Sequence, residues 1–404
     1  AEYVLGGNDG PKFYFKTDQS APQNRMIAID IDNPAPEFWK ELIPEDPDKL
    51  EFAYYVGGRF ICTYLHHAAH QVRFFKTDGT PDGELELPGL GMAVGFGGRA
   101  DDPETFYKFS NFTTPGTVYH FNLDTRETAL FREPDVAFDP DDYVTKQIFY
   151  ESKDGTRVPL FISHRKDLEI TSDTPTYLYG YGGFNIPLSL SFSVPNLVWM
   201  EMGGIYAQAN LRGGGEYGRE WHEGGMKHNK QNVFDDFIAA AEYLIDEGYT
   251  RTKSLAIGGR SNGGLLIGAC LTQRPDLFGV CLPNVGVLDM LRFHKFTIGW
   301  AWVSDYGSPD VLEDFEYIWT YSPYHNIRPG VAYPPTMVLT GDHDDRVFPA
   351  HSFKFAAVLQ AGQGGEAPIL IRIETRAGHG AGKPTQKLIE EFSDMWTFAL
   401  AHMA

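Results

Sequence analysis

The chain has 404 residues, of which 42% are hydrophobic and 22% charged, so it can bury a large core and is neither disordered nor of low complexity. Its 54 Asp and Glu against 34 Lys and Arg leave a net charge of −20, which excludes an electrostatic grip on nucleic acid or on an anionic membrane. No window approaches the run of about 18 uncharged apolar residues that a membrane helix needs. The first residues, Ala1 to Gly7, lack a basic segment followed by an apolar run, and a start at Ala1 inside strand-like sequence is expected of a processed or truncated chain. Cys62, Cys270 and Cys281 are far apart and odd in number, so they build neither a disulfide framework nor a CxxC metal site and are expected to be small buried hydrophobes.

Up to about residue 135 short alternating or apolar runs recur between turn signals: 12–17, 25–31, 60–65, 71–76, 105–109 and 118–123. The punctuation is Gly-Asn-Asp-Gly at 7–10, Thr-Asp-Gly-Thr at 77–80 and Thr-Thr-Pro-Gly at 113–116. Nothing here has helical period, which predicts antiparallel sheet. Lys-Thr-Asp occurs at 16–18 and again at 76–78, and the strand, turn, strand pieces read as loosely repeating propeller blades, about three of them in residues 1–135, with a plain β-sandwich as the alternative.

From residue 136 to 404 the texture changes to alternating strand and helix. Runs 176–180, 204–210, 254–258, 336–340 and 369–374 are short and mostly apolar, as in a buried parallel sheet. Between them, Val233, Phe234, Phe237, Ile238, Ala241, Leu244 and Ile245 recur at helical spacing within 232–247, and Gly248 ends the pattern. A second helix is predicted from Pro384 to His402, with proline suited to its first turn. This part therefore reads as an α/β domain with a mostly parallel sheet.

Gly259-Arg260-Ser261-Asn262-Gly263 is a G-x-S-x-G placed directly after an apolar strand and before an apolar helix, the context a nucleophile elbow requires. The strained turn holds the hydroxyl above the sheet, side chains at Gly259 or Gly263 would collide with the neighbouring strand or helix, and the helix start supplies N–H groups where an oxyanion forms. A serine needs a base, and the base needs a carboxylate. Two strand-end loops follow in the order Ser, Asp, His. One is Gly341-Asp342-His343-Asp344-Asp345-Arg346-Val347 and the other Ala377-Gly378-His379-Gly380-Ala381-Gly382. His343 is a rival to His379 as base but breaks that order. Spacing leaves Asp342, Asp344 and Asp345 open.

Six segments together resemble the prolyl oligopeptidase family of serine peptidases: Gly180-Tyr181-Gly182-Gly183-Phe184, 210–218 (NLRGGGEYG), 259–264 (GRSNGG), 293–299 (FHKFTIG), 342–347 (DHDDRV) and 377–384 (AGHGAGKP). The resemblance is dense from about residue 136 onward and looser before it. It implies an α/β-hydrolase domain preceded by part of an all-β propeller, with Ser261 as nucleophile, Asp344 as the triad acid and His379 as base. It further implies that Tyr181 and the backbone N–H of Asn262 donate to the oxyanion, that Arg346 binds a substrate carbonyl, and that Trp302 stacks on a proline ring in a pocket lined by Phe184, Val287, Tyr306 and Val347.

The reaction so implied is endopeptidase cleavage of short peptides on the carboxyl side of proline, through an acyl-enzyme and with no metal or organic cofactor. The resemblance also implies short proline-containing peptides as partners, a monomer, and a cytoplasmic home, or a periplasmic one if a signal peptide has been removed. Alternatives are an oligopeptidase of other specificity, for basic residues or acylated amino termini, and a non-catalytic fragment that only binds. Family members have a larger propeller, so the chain is expected to be one portion of a longer enzyme.

Overall fold

Strand-like alternation broken by Gly- and Asp-rich turns gives three antiparallel meanders in the first part of the chain. In the computed structural model, which describes residues 1–380 and 382–403, β1 (Tyr3–Asp9), β2 (Lys12–Thr17), β3 (Arg25–Asp30) and β4 (Lys40–Ile43) form the first sheet in chain order. The second holds β5 (Lys49–Val56), β6 (Arg59–His66), β7 (Ala69–Lys76) and β8 (Pro81–Leu85), and the third β9 (Met92–Val94), β10 (Glu104–Ser110), β11 (Thr117–Asn122) and β12 (Thr128–Arg132). Aromatic and aliphatic side chains fill the spaces between faces: Tyr14, Met26, Phe60 and Tyr64 between the first two sheets, and Ile61, Phe74, Phe109 and Phe121 between the last two. This part forms one compact unit, Ala1–Asp141, together with two later segments, Ser189–Val194 and Gly215–Trp221.

The six expected runs are the two central strands of each sheet. The edge strands were not legible, because a strand paired on one side only carries less apolar alternation: all five residues of β12 are exposed, and β1 buries none fully. The two Lys-Thr-Asp triplets do not mark equivalent positions. Lys16 and Thr17 close β2, the second strand of its sheet, whereas Lys76 closes β7, a third strand.

The other unit comprises Asp142–Leu188, Pro195–Gly214 and the residues from His222 onward. Its sheet has eight strands: β13 (Tyr143–Glu151), β14 (Arg157–Arg165), β15 (Thr176–Gly180), β16 (Ile205–Ala209), β17 (Leu255–Arg260), β18 (Val280–Asn284), β19 (Thr336–Gly341) and β20 (Ile369–Glu374). Their order is β13-β14-β16-β15-β17-β18-β19-β20, antiparallel as far as β16 and parallel beyond it. All five expected strands are present. The sixth parallel strand, β18, went unpredicted because Pro283 interrupts its run, and a proline ordinarily demotes a central strand.

The helices are α1 (Val194–Glu201), α2 (Arg219–Glu223), α3 (Gln231–Asp246), α4 (Asn262–Gln273), α5 (Val303–Tyr306), α6 (Leu312–Tyr321), α7 (Ala350–Gly362) and α8 (Thr385–His402). α3 buries Val233, Phe234, Phe237, Ala241 and Leu244 as its spacing predicts, and it also buries Asp236. That carboxylate is taken up by the Arg212 guanidinium, Nη2 to Oδ1 at 2.6 Å, and by Ser152 Oγ at 2.5 Å. α4 is buried from Asn262 to Thr272, which fits a helix that is apolar on all sides. Among the described residues no helix is long and apolar enough to cross a membrane.

The three cysteines are free and buried, and burial pushes each thiol well above its ordinary pKa. An aromatic disulfide reagent added to the native chain is therefore expected to modify none of them, and all three after denaturation. Rapid modification of a native thiol, followed by absorbance, would contradict this packing.

Candidate active site

β17 runs into α4 through a single residue, Ser261, whose backbone sits at φ 60° and ψ −116°. A non-glycine residue at positive φ is strained. The turn is held because the Ser261 N–H donates to the Asn284 carbonyl at 2.9 Å, while the Ser261 carbonyl accepts the N–H groups of Gly264 and Leu265 at 2.9 and 3.1 Å. The hydroxyl does not cap the helix, so it is not consumed by the local backbone. The glycines serve the close approach: a Cβ on Gly263 would lie 2.6 Å from the Gly180 carbonyl, and one on Gly264 would lie 2.5 Å from the Gly286 Cα. A Cβ on Gly259 would strike the Gly263 carbonyl.

The loop after β19 separates the three aspartates by position. Asp344 is buried, and its Oδ1 accepts the N–H groups of Arg346 at 3.0 Å and Val347 at 2.9 Å. Its Oδ2 accepts from His379 Nδ1 at 2.7 Å, which leaves Nε2 as the ring nitrogen not engaged by the carboxylate. Asp342 instead engages the exposed His343 at 2.6 Å and the Ala377 N–H at 3.3 Å, and Asp345 is exposed. A Cβ on Gly341 would come within 2.5 Å of the Ala377 carbonyl, so glycine there lets the two loops meet.

Arg260, the residue before the serine, donates from Nη2 to the His379 carbonyl and so ties the histidine loop to the serine turn. Among the described residues no hydrogen bond joins Ser261 Oγ to the His379 ring, a contact that commonly tightens only with substrate present. Of the expected histidine loop, Ala381 lies outside the described residues.

Ser261 opens into a cavity of about 240 Å³ lined by Tyr181, Phe184, Ile186, Val287, Ile298, Trp302, Tyr306 and Arg346. Phe184 meets the Tyr306 ring edge-on, with centroids 5.4 Å apart. Trp302 is half-buried and parallel to Phe293, whereas Trp300 is 69% exposed and lies outside the lining. Val347 is placed beside the cavity rather than in its wall: it is buried, and its N–H is spent on Asp344. Ile186 and Ile298, absent from the sequence reading, form the exposed rim. They could not have been foreseen, because single isoleucines in loops carry no periodic signal.

The Arg346 guanidinium makes no ion pair among the described residues. Tyr181 has its phenol pushed up to about 12, chiefly by burial and then by the neighbouring Tyr179 and Asp305, so it stands as a protonated donor at neutral pH. Asn262 Nδ2 donates to the Tyr181 carbonyl at 2.5 Å, and the Tyr306 hydroxyl donates to Asn262 Oδ1 at 2.9 Å. Among the described residues no group of three His, Cys, Asp or Glu side chains is arranged to hold a metal ion.

Comparison with known proteins places this arrangement in context. A model described as "Prolyl oligopeptidase family" matches residues 190–404, and one described as "Prolyl oligopeptidase, N-terminal beta-propeller domain" matches residues 1–134. The chain is 51% identical over 402 residues to a prolyl endopeptidase of Elizabethkingia miricola, covering 99% of this chain and 57% of that protein. It is 45% identical over 413 residues to a prolyl endopeptidase of Dictyostelium discoideum, covering 98% and 54%. A solved prolyl oligopeptidase B from Galerina marginata, bound to a 35-residue hydrolysis and macrocyclization substrate, superposes with a TM-score of 0.94 at 37% identity, over 100% of this chain and 58% of that one. Oligopeptidase B from Leishmania major gives 0.91 at 26% identity, over 100% and 58%. The chain thus spans little more than half the length of the curated relatives it matches.

Beside the Asp344 loop, His351 in the first turn of α7 is buried edge-on against Phe296, and its Nδ1 accepts the Asp289 N–H at 3.0 Å. Burial pushes its pKa down to about 4, although the Asp289 carboxylate pulls the other way. The unfolded chain, titrating this ring near 6.5, then binds the proton that the folded chain refuses. Stability is full above about pH 6.5 and falls as the pH drops toward 4, by on the order of 3 kcal/mol from this group. His351→Asn keeps an acceptor for the Asp289 N–H and is expected to flatten that part of the profile, measured by urea unfolding between pH 7 and 4. An unchanged slope in the variant would remove His351 as the cause.

Proposed function

The chain belongs to the prolyl oligopeptidase family, and from that premise we propose that it carries the catalytic part of a serine endopeptidase that cleaves short peptides on the carboxyl side of proline. The observation that carries this reading is the position of Ser261, strained and uncapped, at the mouth of a cavity walled by Trp302, Phe184 and Tyr306. Flat aromatic walls suit a flat apolar ring, and proline, with its fixed φ and missing amide hydrogen, needs a pocket of its own.

In the proposed reaction His379 Nε2 takes the Ser261 proton as Oγ attacks the carbonyl carbon of the proline residue. The oxyanion accepts from the Tyr181 phenol and the Asn262 N–H, while Asp344 stabilises the imidazolium. The C–N bond then breaks, and His379 returns its proton to the leaving amine. Water attacks the acyl-enzyme with His379 again as base, the ester C–Oγ bond breaks to release the carboxyl product, and His379 gives its proton back to Ser261 Oγ. Arg346, free of an ion-pair partner, is assigned to a substrate carbonyl. Residues 136–404 are assigned to the hydrolase and 1–135 to part of the propeller. We assign it the life of a monomer without nucleic-acid or membrane partners, in the cytoplasm, or in the periplasm if exported.

Ser261→Ala is expected to abolish both labelling by a fluorophosphonate and peptide cleavage. Tyr181→Phe is expected to lower kcat by about 100-fold or more with a much smaller change in KM, the usual cost of one oxyanion donor. Chromogenic peptides with proline or arginine before the scissile bond test the specificity: a higher kcat/KM for arginine would favour the basic-residue alternative, and a wild-type chain that neither labels nor cleaves would favour the non-catalytic one.

A further inference from the structure

Under the cavity lies a buried lysine that the reaction above does not use. Lys230, immediately before α3, is 1% exposed. Its Nζ donates to the Gly182 carbonyl at 2.8 Å and to Asn262 Oδ1 at 3.2 Å, and it stands 5.4 Å from the centre of the Tyr306 ring. Among the described residues no carboxylate pairs with it. The acidic group that influences it, Asp305, is already engaged by His222 Nε2 at 2.7 Å and the Phe184 N–H at 3.4 Å. An ammonium taken out of water without a contacting anion is costly, and burial pushes its pKa down to about 8 against the pull of Asp305.

The geometry gives that cation a task. A side-chain amide can sit in either of two orientations, and an ammonium has donors only, so Lys230 compels Asn262 to turn its oxygen inward. The amide nitrogen is thereby aimed at the Tyr181 carbonyl, 2.5 Å away. One side chain thus links the two residues assigned above as oxyanion donors, and through the Tyr306 hydroxyl it also links them to the cavity wall. There is no slack in the link: a Cβ on Gly183 would lie 2.7 Å from Asn262 Nδ2.

We propose that Lys230 is a positioning residue of the oxyanion hole, acting through the Asn262 amide to fix the Tyr181 backbone and so the aim of both donors. This rests on the peptidase reading above. The test is Lys230→Met in the full chain, with kcat expressed per active site titrated to completion by a fluorophosphonate. That kcat is expected to fall about tenfold or more with KM within about twofold, and the loss is expected to shrink to about threefold or less in a Tyr181→Phe background, where the donor being aimed is already gone.

A lysine that merely supports the fold would lower the titrated fraction while leaving kcat per site unchanged, or would cost the same factor in both backgrounds; either result overturns the proposal. Should Lys230→Met not fold, Asn262→Ala cuts the same link and keeps the backbone N–H, and wild-type kcat there overturns it equally. A wild-type chain without labelling or cleavage overturns the peptidase reading instead.

Discussion

The site depends on one backbone constraint, the left-handed turn at Ser261. A strand ending at Arg260 and a helix beginning at Asn262 leave a single residue in which to reverse direction, and that residue is held at φ 60°. Such strain, about 1–3 kcal/mol, persists only where surrounding structure over-determines it. Here the neighbours are bare backbone: Gly180 against Gly263, and Gly286 against Gly264. Side chains at these contacts would push the helix away from the sheet, the Asn284 carbonyl would lose the Ser261 N–H, and the hydroxyl would no longer face the cavity.

Around that turn, polar groups are fixed in pairs rather than left to solvent. The buried Asp344 carboxylate receives two backbone N–H groups and the His379 ring, so its orientation is set by the fold itself. Arg260 grips the histidine loop from the serine side. Asn262 ties the Tyr181 segment to the start of α4, with Lys230 beneath it. Preorganised dipoles of this kind cost no rearrangement at the moment of reaction, which is why they are effective in catalysis.

The sequence was most legible where an element is shared on both sides. The central strands of the three meanders, the buried strands β15, β16, β17 and β19, and the amphipathic α3 all carry their period openly, and β20, although at the sheet edge, keeps a branched apolar run. Edge strands such as β1 and β12 did not, because solvent on one side tolerates almost any residue. β18 was hidden for the opposite reason: it is fully buried, but a proline stands in its run. Asp236 sits within the apolar stripe of α3 because a distant arginine takes up its charge, and no local pattern signals such a partner.

By itself the sequence determined the chemistry on offer: a serine in a glycine-bounded turn, then an acid loop and a histidine loop in that order, each at the end of an apolar strand. These are local demands, and glycine spacing and apolar period write them locally. Only the tertiary structure buried Asp344 against the His379 ring while turning Asp342 to His343 and leaving Asp345 exposed, put Ile186 and Ile298 in the rim, set Val347 beside the cavity, and brought Lys230 under Asn262. Those outcomes depend on which strands lie side by side and on how closely bare backbones approach. Strand order and close approach join residues far apart in the chain, so no single stretch of sequence records them.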